Sequence, residues 1–125
     1  MSGFRELEIY RRSYAAAKAV HEMVKKYPEY EIKRGIADQM RRASLSIPMN
    51  IAEGYAKKDS QADFRRFLRM AIGSANEMLV LLDFSKDVGY LPVEKHAKAL
   101  AEYEESVECL ASSSKASQNH LKSNI

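Results

Sequence analysis

The chain has 125 residues, of which 46% are hydrophobic and 30% are charged, and its formal net charge is +3. This balance predicts one folded domain with a modest core, because disordered chains are poorer in apolar residues and carry a higher net charge. The longest strongly apolar run, MLVLL at residues 78–82, is too short to cross a bilayer, and the N-terminal MSGFRELEIYRR lacks the apolar segment of a signal peptide. We therefore expect a cytoplasmic protein with no membrane partner, and the single Cys109 excludes an internal disulfide.

The first half of the sequence repeats apolar residues at the three- and four-residue spacing of amphipathic helices. Pro28 ends the first predicted helix, and the loop at residues 57–61 ends the second, with Asp59 or Ser60 as the expected N-cap of the third. The apolar positions of the first helix are Leu7, Tyr10, Tyr14, Ala17, Val20, Val24 and Tyr27. Those of the second helix are Ile36, Met40, Ala43, Ile47, Ile51, Gly54 and Tyr55.

The third predicted helix has the widest apolar face, which indicates burial against more than one neighbour. Gly89 suits the left-handed position that ends this helix, and Pro92 suits the first turn of the next. The third helix contributes Phe64, Phe67, Leu68, Ala71, Ile72, Ala75, Met78, Leu79 and Leu82. The fourth contributes Val93, Ala97, Leu100, Val107 and Leu110.

Short connections between long helices favour antiparallel neighbours. The sequence therefore predicts an all-α fold, an up-down-up-down four-helix bundle over residues 1–111. Residues 112–125 are small and polar, and we expect them to form a flexible tail.

Pro48 stands inside the second predicted helix, where it cannot donate to the carbonyl of residue 44. A break at this point would make Ile47 an unfavourable N-cap, and the apolar stripe keeps its phase from Met40 to Ile51. We therefore predict a kinked but continuous helix, with Ser44 and Ser46 helping to satisfy the freed backbone groups.

A second, polar stripe lies beside the apolar stripe of the second helix, and the third helix has a comparable flank. A bundle that acts alone needs one buried stripe per helix, so this pattern indicates a subunit interface. A solvated flank with ordinary pairs between successive turns is the alternative. The predicted interface residues are Gln39, Arg42, Ser46, Asn50 and Glu53 on the second helix, and Met70, Ser74, Glu77 and Leu81 on the third.

Positive charge is concentrated in the first part of the chain. Residues 1–75 contain 15 Lys and Arg against 9 Asp and Glu, whereas residues 76–125 contain 5 against 8. This asymmetry indicates an anionic partner or a head-to-tail contact between copies, although solvation alone also explains a small excess. The cations that we predict to contact nucleic-acid phosphates, the alternative being a solubilising face, are Arg34, Arg41, Lys57, Lys58, Arg65, Arg66 and Arg69.

Patterns for catalysis and metal binding are missing from the sequence. None of the three histidines has a glutamate three residues before it, as a di-iron bundle requires, and no zinc-binding or phosphate-loop spacing occurs. Glu53 and Glu77 form a candidate carboxylate pair, for which structural hydrogen bonding is the alternative. We expect no catalytic residue, no metal and no cofactor, and a protein that is not an enzyme.

Two blocks of this sequence resemble a known family. RRASLSIPMNIAEGYAKK at residues 41–58 combines a proline within a helix with Asn-Ile-Ala-Glu-Gly, and FRRFLRMAIGSANE begins at Phe64. Both resemble the four-helix-bundle proteins encoded in intervening sequences of bacterial 23S ribosomal RNA genes. The accessory variability protein of diversity-generating retroelements is similar, and the resemblance spans roughly residues 5–110.

This resemblance implies a homopentameric barrel of bundles with a basic surface. It also implies contact with structured RNA or DNA, and with a reverse transcriptase or another protein. The function that follows is a non-enzymatic accessory protein that binds nucleic acid, and the alternative is a protein-interaction scaffold without a nucleic-acid role.

Overall fold

The computed structural model describes residues 3–115, and within that range the fold is entirely helical. The helices are α1 (Glu8–Met23), α2 (Glu29–Arg34), α3 (Ile36–Ala56), α4 (Gln61–Asp87) and α5 (Val93–Lys115). Short 3₁₀ turns at Phe4–Glu6 and Val24–Lys26 flank α1. The prediction of an all-α fold with four long helices is confirmed. No helix within residues 3–115 combines the length and the apolar character that crossing a membrane requires.

Helix α4 is the centre of the bundle, since it packs along both α3 and α5, while α1 packs mainly on α3. Helices α3 and α4 run antiparallel. Ser46 contacts Ser74 near their middle, and Met40 contacts Ser85 nearer the other end. Helix α4 has a wide apolar face because it is buried against two neighbouring helices, α3 and α5. Its residues Phe64, Leu68, Ala71, Ala75, Met78 and Leu82 are all buried.

Helix α3 continues through Pro48, as the apolar phase predicted. The predicted role of the two serines is different in the structure. The Ser44 hydroxyl donates to the Arg41 carbonyl at 3.1 Å, and the Ser46 hydroxyl pairs with that of Ser74 at 2.8 Å. Both hydroxyls therefore have hydrogen-bond partners other than the carbonyl that the proline leaves free.

The connection before α3 contains the short helix α2, which the sequence analysis did not predict. Pro28 precedes its first turn, Glu29 and Glu31 lie at its start, and Lys33 and Arg34 lie at its end. This charge order complements the helix dipole. The Glu31 carboxylate then accepts the Ile36 amide at 3.0 Å and the Tyr90 hydroxyl at 2.8 Å, so it joins α2, the start of α3 and the turn before α5.

The turn signals of the sequence are mostly confirmed. Ser60 is the N-cap of α4, because its hydroxyl accepts the Asp63 amide at 3.2 Å. Gly89 has a φ of 86°, the left-handed conformation predicted for it. Pro92 precedes α5 instead of lying in its first turn, and its carbonyl accepts the His96 amide at 2.9 Å.

The predicted inward face of α5 is confirmed only in part. Leu110 is buried, and Leu100 and Val107 pack partly buried against the core, but Val93 is 66% exposed and Ala97 is also exposed. The buried residues that the prediction missed are His96, Tyr103, Ser106 and Ser113. Three of these four residues are polar, so a search for apolar periodicity passes over them. Helix α5 continues to Lys115, which places residues 112–115 of the predicted tail in a helix; the remaining tail, residues 116–125, lies outside the described residues.

Candidate functional site

Five cations surround the turn between α3 and α4, and we call this group the cationic end: Lys57, Lys58, Arg65, Arg66 and Arg69. Two aromatic rings lie among them. Lys57 Nζ lies 5.9 Å and Arg66 Cζ lies 4.4 Å from the centre of the Phe67 ring, and Lys58 Nζ lies 4.3 Å from that of Tyr55. Such contacts hold cations near an aromatic face without neutralising them.

The cationic end keeps most of its charge unmatched. Within residues 3–115, Arg66 is the member of this group with an ion pair, at 3.8 Å from Asp63, and its side chain is 57% exposed. Lys57 and Arg69 are also exposed, and Lys58 and Arg65 are partly exposed. An exposed pair at that distance contributes little, so the local charge is available to an anion.

The other two predicted cations lie elsewhere. Arg41 donates to the Ile32 carbonyl at 2.5 Å and lies 3.3 Å from an Asp38 carboxylate oxygen. Arg41 and Lys57 are separated by about 24 Å along α3, at 1.5 Å per residue. Arg34 ends α2, near Arg41, and is exposed. The seven residues therefore form two groups at opposite ends of α3, and Arg41 is committed to contacts within the chain.

Three residues of the predicted interface join α3 to α4 within one chain. The Ser46 and Ser74 hydroxyls lie 2.8 Å apart, and the Asn50 amide donates to the Ser46 carbonyl at 2.9 Å and to its hydroxyl at 3.0 Å. All three side chains are partly buried. This network positions the two helices and leaves part of each side chain at the surface.

The other predicted interface residues lie around this network. Leu81 is buried, and Arg42 pairs with Asp38 at 3.1 Å. Those that are exposed are Gln39, Arg42, Glu53, Met70 and Glu77. Glu53 and Glu77 lie on opposite sides of the serine pair, about 15 Å apart along antiparallel helices, so they do not form a carboxylate pair.

The sequence analysis predicted Met70 as an interface residue but missed the rest of an exposed apolar surface on the outer side of α3 and α4, which we call the apolar strip. Its residues are Leu45, Met49, Met70, Val80, Phe84 and Val88. Met49 follows Ser46 by three residues and Met70 precedes Ser74 by four, so the two methionines lie at the same level of antiparallel helices. Val80, Phe84 and Val88 continue along one face of α4 at four-residue spacing, the signal that could have revealed the strip.

Tyr14 is a second exposed aromatic group that the periodicity of α1 assigned to the core. Tyr14 is 48% exposed, and its ring stacks on the Tyr10 ring with 5.8 Å between the ring centres. The Phe4 ring packs edge-on against the Tyr10 ring at 5.0 Å. Its predicted core position is therefore wrong. The Tyr14 side chain lies at the edge of the apolar face of α1, where the Tyr10 ring covers one side of the Tyr14 ring.

Comparison with known proteins agrees with this architecture. A solved structure of a protein of unknown function from the S23 ribosomal protein family of Bacteroides thetaiotaomicron VPI-5482 superposes with a TM-score of 0.78. The two sequences are 24% identical, and the match covers 86% of this chain and 96% of that one, which establishes the shared fold. No curated protein matches the sequence. The sequence model for the 23S rRNA-intervening sequence proteins matches residues 5–112. The chain therefore belongs to the 23S rRNA-intervening sequence protein family.

Proposed function

We propose that this protein is a non-enzymatic, homo-oligomeric accessory protein of the cytoplasm that contacts structured RNA or DNA through the cationic end. The observation that carries the proposal is the group of five cations around one turn, with an ion pair at only one of them within residues 3–115. The family name connects its members with 23S rRNA, which makes a folded RNA the first ligand to test.

The chemistry of this end suits the backbone of a nucleic acid better than its bases. Lysine and arginine bind phosphate oxygens by charge and hydrogen bonding, whereas base recognition requires side chains that match the donor and acceptor pattern of a base edge. Tyr55 and Phe67 are partly buried beneath their cations. We therefore expect binding that follows the shape and charge of the nucleic acid more than its sequence.

Self-association would increase this binding. The apolar strip exposes six large apolar side chains on one side of the bundle, and burying them against another copy removes apolar surface from water. The exposed predicted residues Glu53 and Glu77, and the partly exposed Asn50, lie beside this strip and are suited to a polar rim. The family resemblance supports a pentamer, in which several cationic ends act on one ligand with a higher effective concentration.

Fluorescence anisotropy with a labelled RNA hairpin tests the nucleic-acid proposal. We expect the logarithm of the affinity to fall linearly with the logarithm of the salt concentration, because each phosphate contact releases counterions. Charge reversal of Arg65, Arg66 and Arg69 together should abolish binding at low salt. Lys18→Glu is the control, since Lys18 is an exposed cation of α1 outside the cationic end.

Two results would contradict this assignment. Unchanged binding of the triple variant at low salt would show that the cationic end is not the site. A larger effect of charge reversal at Arg34 than at the three arginines would move the site to the opposite end of α3.

The apolar strip also favours the second candidate function, a protein-interaction scaffold that includes a reverse transcriptase among its candidate partners. In that case a protein partner should remain bound after nuclease treatment, and Phe84→Glu should release it. Loss of the partner on nuclease treatment would instead favour the nucleic-acid function.

A further inference from the structure

Helices α1 and α5 enclose a groove that the proposed function does not use. Arg12 joins the helices at one end, where it donates to Glu102 at 3.0 Å and also to Glu105. Beyond this connection a cavity of about 610 Å³ lies between the helices, within the range of roughly 300–1,000 Å³ typical of small-molecule sites. It spans Ala16 to Lys26 on α1 and the turn that follows it, a length of about 15 Å.

The wall of this groove is apolar. Tyr103, Val20 and Ala16 form buried parts of the wall, and Met23 and Ala99 extend it toward solvent. The Tyr103 side chain is 1% exposed, and its hydroxyl has no hydrogen-bond partner within the described part of the chain. The apolar surface that a ligand can reach is therefore that of Ala19, Met23 and Ala99, with Val20 and Tyr103 closing the groove beneath it.

The rim of the groove carries unmatched positive charge at one end. Lys26 follows α1, while Lys95 and Lys98 lie in the first two turns of α5, at the same end of the bundle. These three lysines form no ion pair within residues 3–115. Both carboxylates of the rim are already paired, Glu22 with Lys25 at 2.8 Å and Glu102 with Arg12. The net unmatched charge of the groove is therefore cationic.

We propose that the groove between α1 and α5 binds a fatty carboxylate, with its chain against Ala19, Met23 and Ala99 and its head at the three lysines. The apolar wall matches a hydrocarbon chain, and the cationic end matches one anionic head. The opposite end is closed by the ion pairs of Arg12, which fixes the direction in which the ligand lies. This site is separate from the cationic end and from the apolar strip, and it does not depend on the proposed function.

Isothermal titration calorimetry with dodecanoate, below its micelle concentration, tests this proposal on the full chain. We expect saturable binding of one dodecanoate per chain. Ala19→Trp should weaken binding at least tenfold, because Ala19 is an exposed residue that lines the groove. Ala101→Trp is the matched control, since Ala101 is also an exposed helical alanine but does not line the groove.

A second pair of variants keeps the test valid if the tryptophan variant does not fold. Lys95→Gln combined with Lys98→Gln should weaken dodecanoate binding about fivefold or more, while Lys18→Gln leaves it unchanged. Dodecyltrimethylammonium, which has the same chain and a cationic head, should bind much more weakly than dodecanoate to the unmodified protein.

Several outcomes would overturn the proposal. Equal affinities of the Ala19→Trp and Ala101→Trp proteins would exclude this groove. Equal binding of the cationic and anionic probes would show general detergent binding. A change in oligomeric mass caused by Ala19→Trp but not by Ala101→Trp would show that a second copy of the chain, and not a ligand, occupies the groove.

Discussion

A lysine at position 80 should dissociate the assembly that the apolar strip is proposed to form. Val80 lies on the exposed face of α4 and is 67% exposed in the single chain. Full burial of a valine side chain contributes about 1.5–3 kcal/mol, so about two-thirds of that value, or roughly 1–2 kcal/mol, remains available to an interface. A lysine there loses this contribution and adds a desolvation cost of roughly 2 kcal/mol, the lower end of the range for an unpaired polar group, because its long stem can carry the ammonium to the edge of the interface.

The free energy of association should therefore become less favourable by about 3–4 kcal/mol for each contact. This corresponds to an association constant that is roughly 100- to 1,000-fold weaker. Sedimentation velocity at micromolar concentration should show oligomers for the unmodified protein and smaller species for Val80→Lys. Helix content should stay the same, because the side chain points away from the core.

Val93→Lys is the matched control for this experiment. Val93 is 66% exposed, so its side chain has nearly the same exposed fraction as that of Val80. It begins α5, however, and lies outside the apolar strip. The control should sediment as the unmodified protein does. Equal behaviour of the two variants, whether both remain assembled or both dissociate, would refute the assignment of the strip as the association surface.

Three further predictions concern the stability and reactivity of the single chain. Gly35→Ala should destabilise the fold by at least 1 kcal/mol in urea unfolding, because its Cβ would lie 2.9 Å from the Glu31 Cα and 1.9 Å from the carboxylate oxygen that caps α3. Gly73→Ala, which has open space at the same position, should instead stabilise the helix by about 0.5–1 kcal/mol, and a cost similar to that of Gly35→Ala would contradict the steric reason. Tyr103→Phe should raise the free energy of unfolding by about 1 kcal/mol, since it removes a buried hydroxyl without a partner; a loss of stability would show that this hydroxyl is bonded in solution. Burial raises the pKa of the Cys109 thiol, so iodoacetamide should modify it more slowly than free cysteine at pH 8, with the rate still rising at higher pH, and an equal rate would contradict its burial.

The parts of the fold that follow from local chemistry were predictable from the sequence. Ser60 caps α4 and Gly89 takes the left-handed conformation because each depends on groups within a few residues. Continuity through Pro48 followed from the phase of the apolar residues on both sides of it. In each case the sequence contains the complete physical reason.

The parts that depend on distant neighbours were not predictable in the same way. The inward face of α5 is set by packing against α4, where buried His96 bonds Asp83 at 2.8 Å, so apolar periodicity found Leu110 but missed His96. The hydrogen bond between Glu31 of α2 and Tyr90 joins residues that lie far apart along the chain, so the sequence alone did not reveal it. The apolar strip escaped detection because the sequence does not show which side of a broadly apolar helix has no neighbour within the chain.

The sequence identified the cationic residues of the candidate nucleic-acid site, but it did not show which of them share one surface. Arg65, Arg66 and Arg69 are close in sequence, so one helix necessarily presents them near one another. The separation of Arg34 and Arg41 from this group became clear only with the length and direction of α3. Their separation reduces the proposed contact surface from seven cations to five.

Photocrosslinking tests the central claim most directly, because it identifies the residues that touch nucleic acid. A hairpin RNA containing 4-thiouridine would be irradiated with the assembled protein, and the modified peptides would be located by mass spectrometry. The account predicts crosslinks to the segment between Tyr55 and Arg69, and their loss as salt is raised. Crosslinks confined to the opposite end of α3, around Arg34 and Arg41, or no crosslink at any salt concentration, would contradict it.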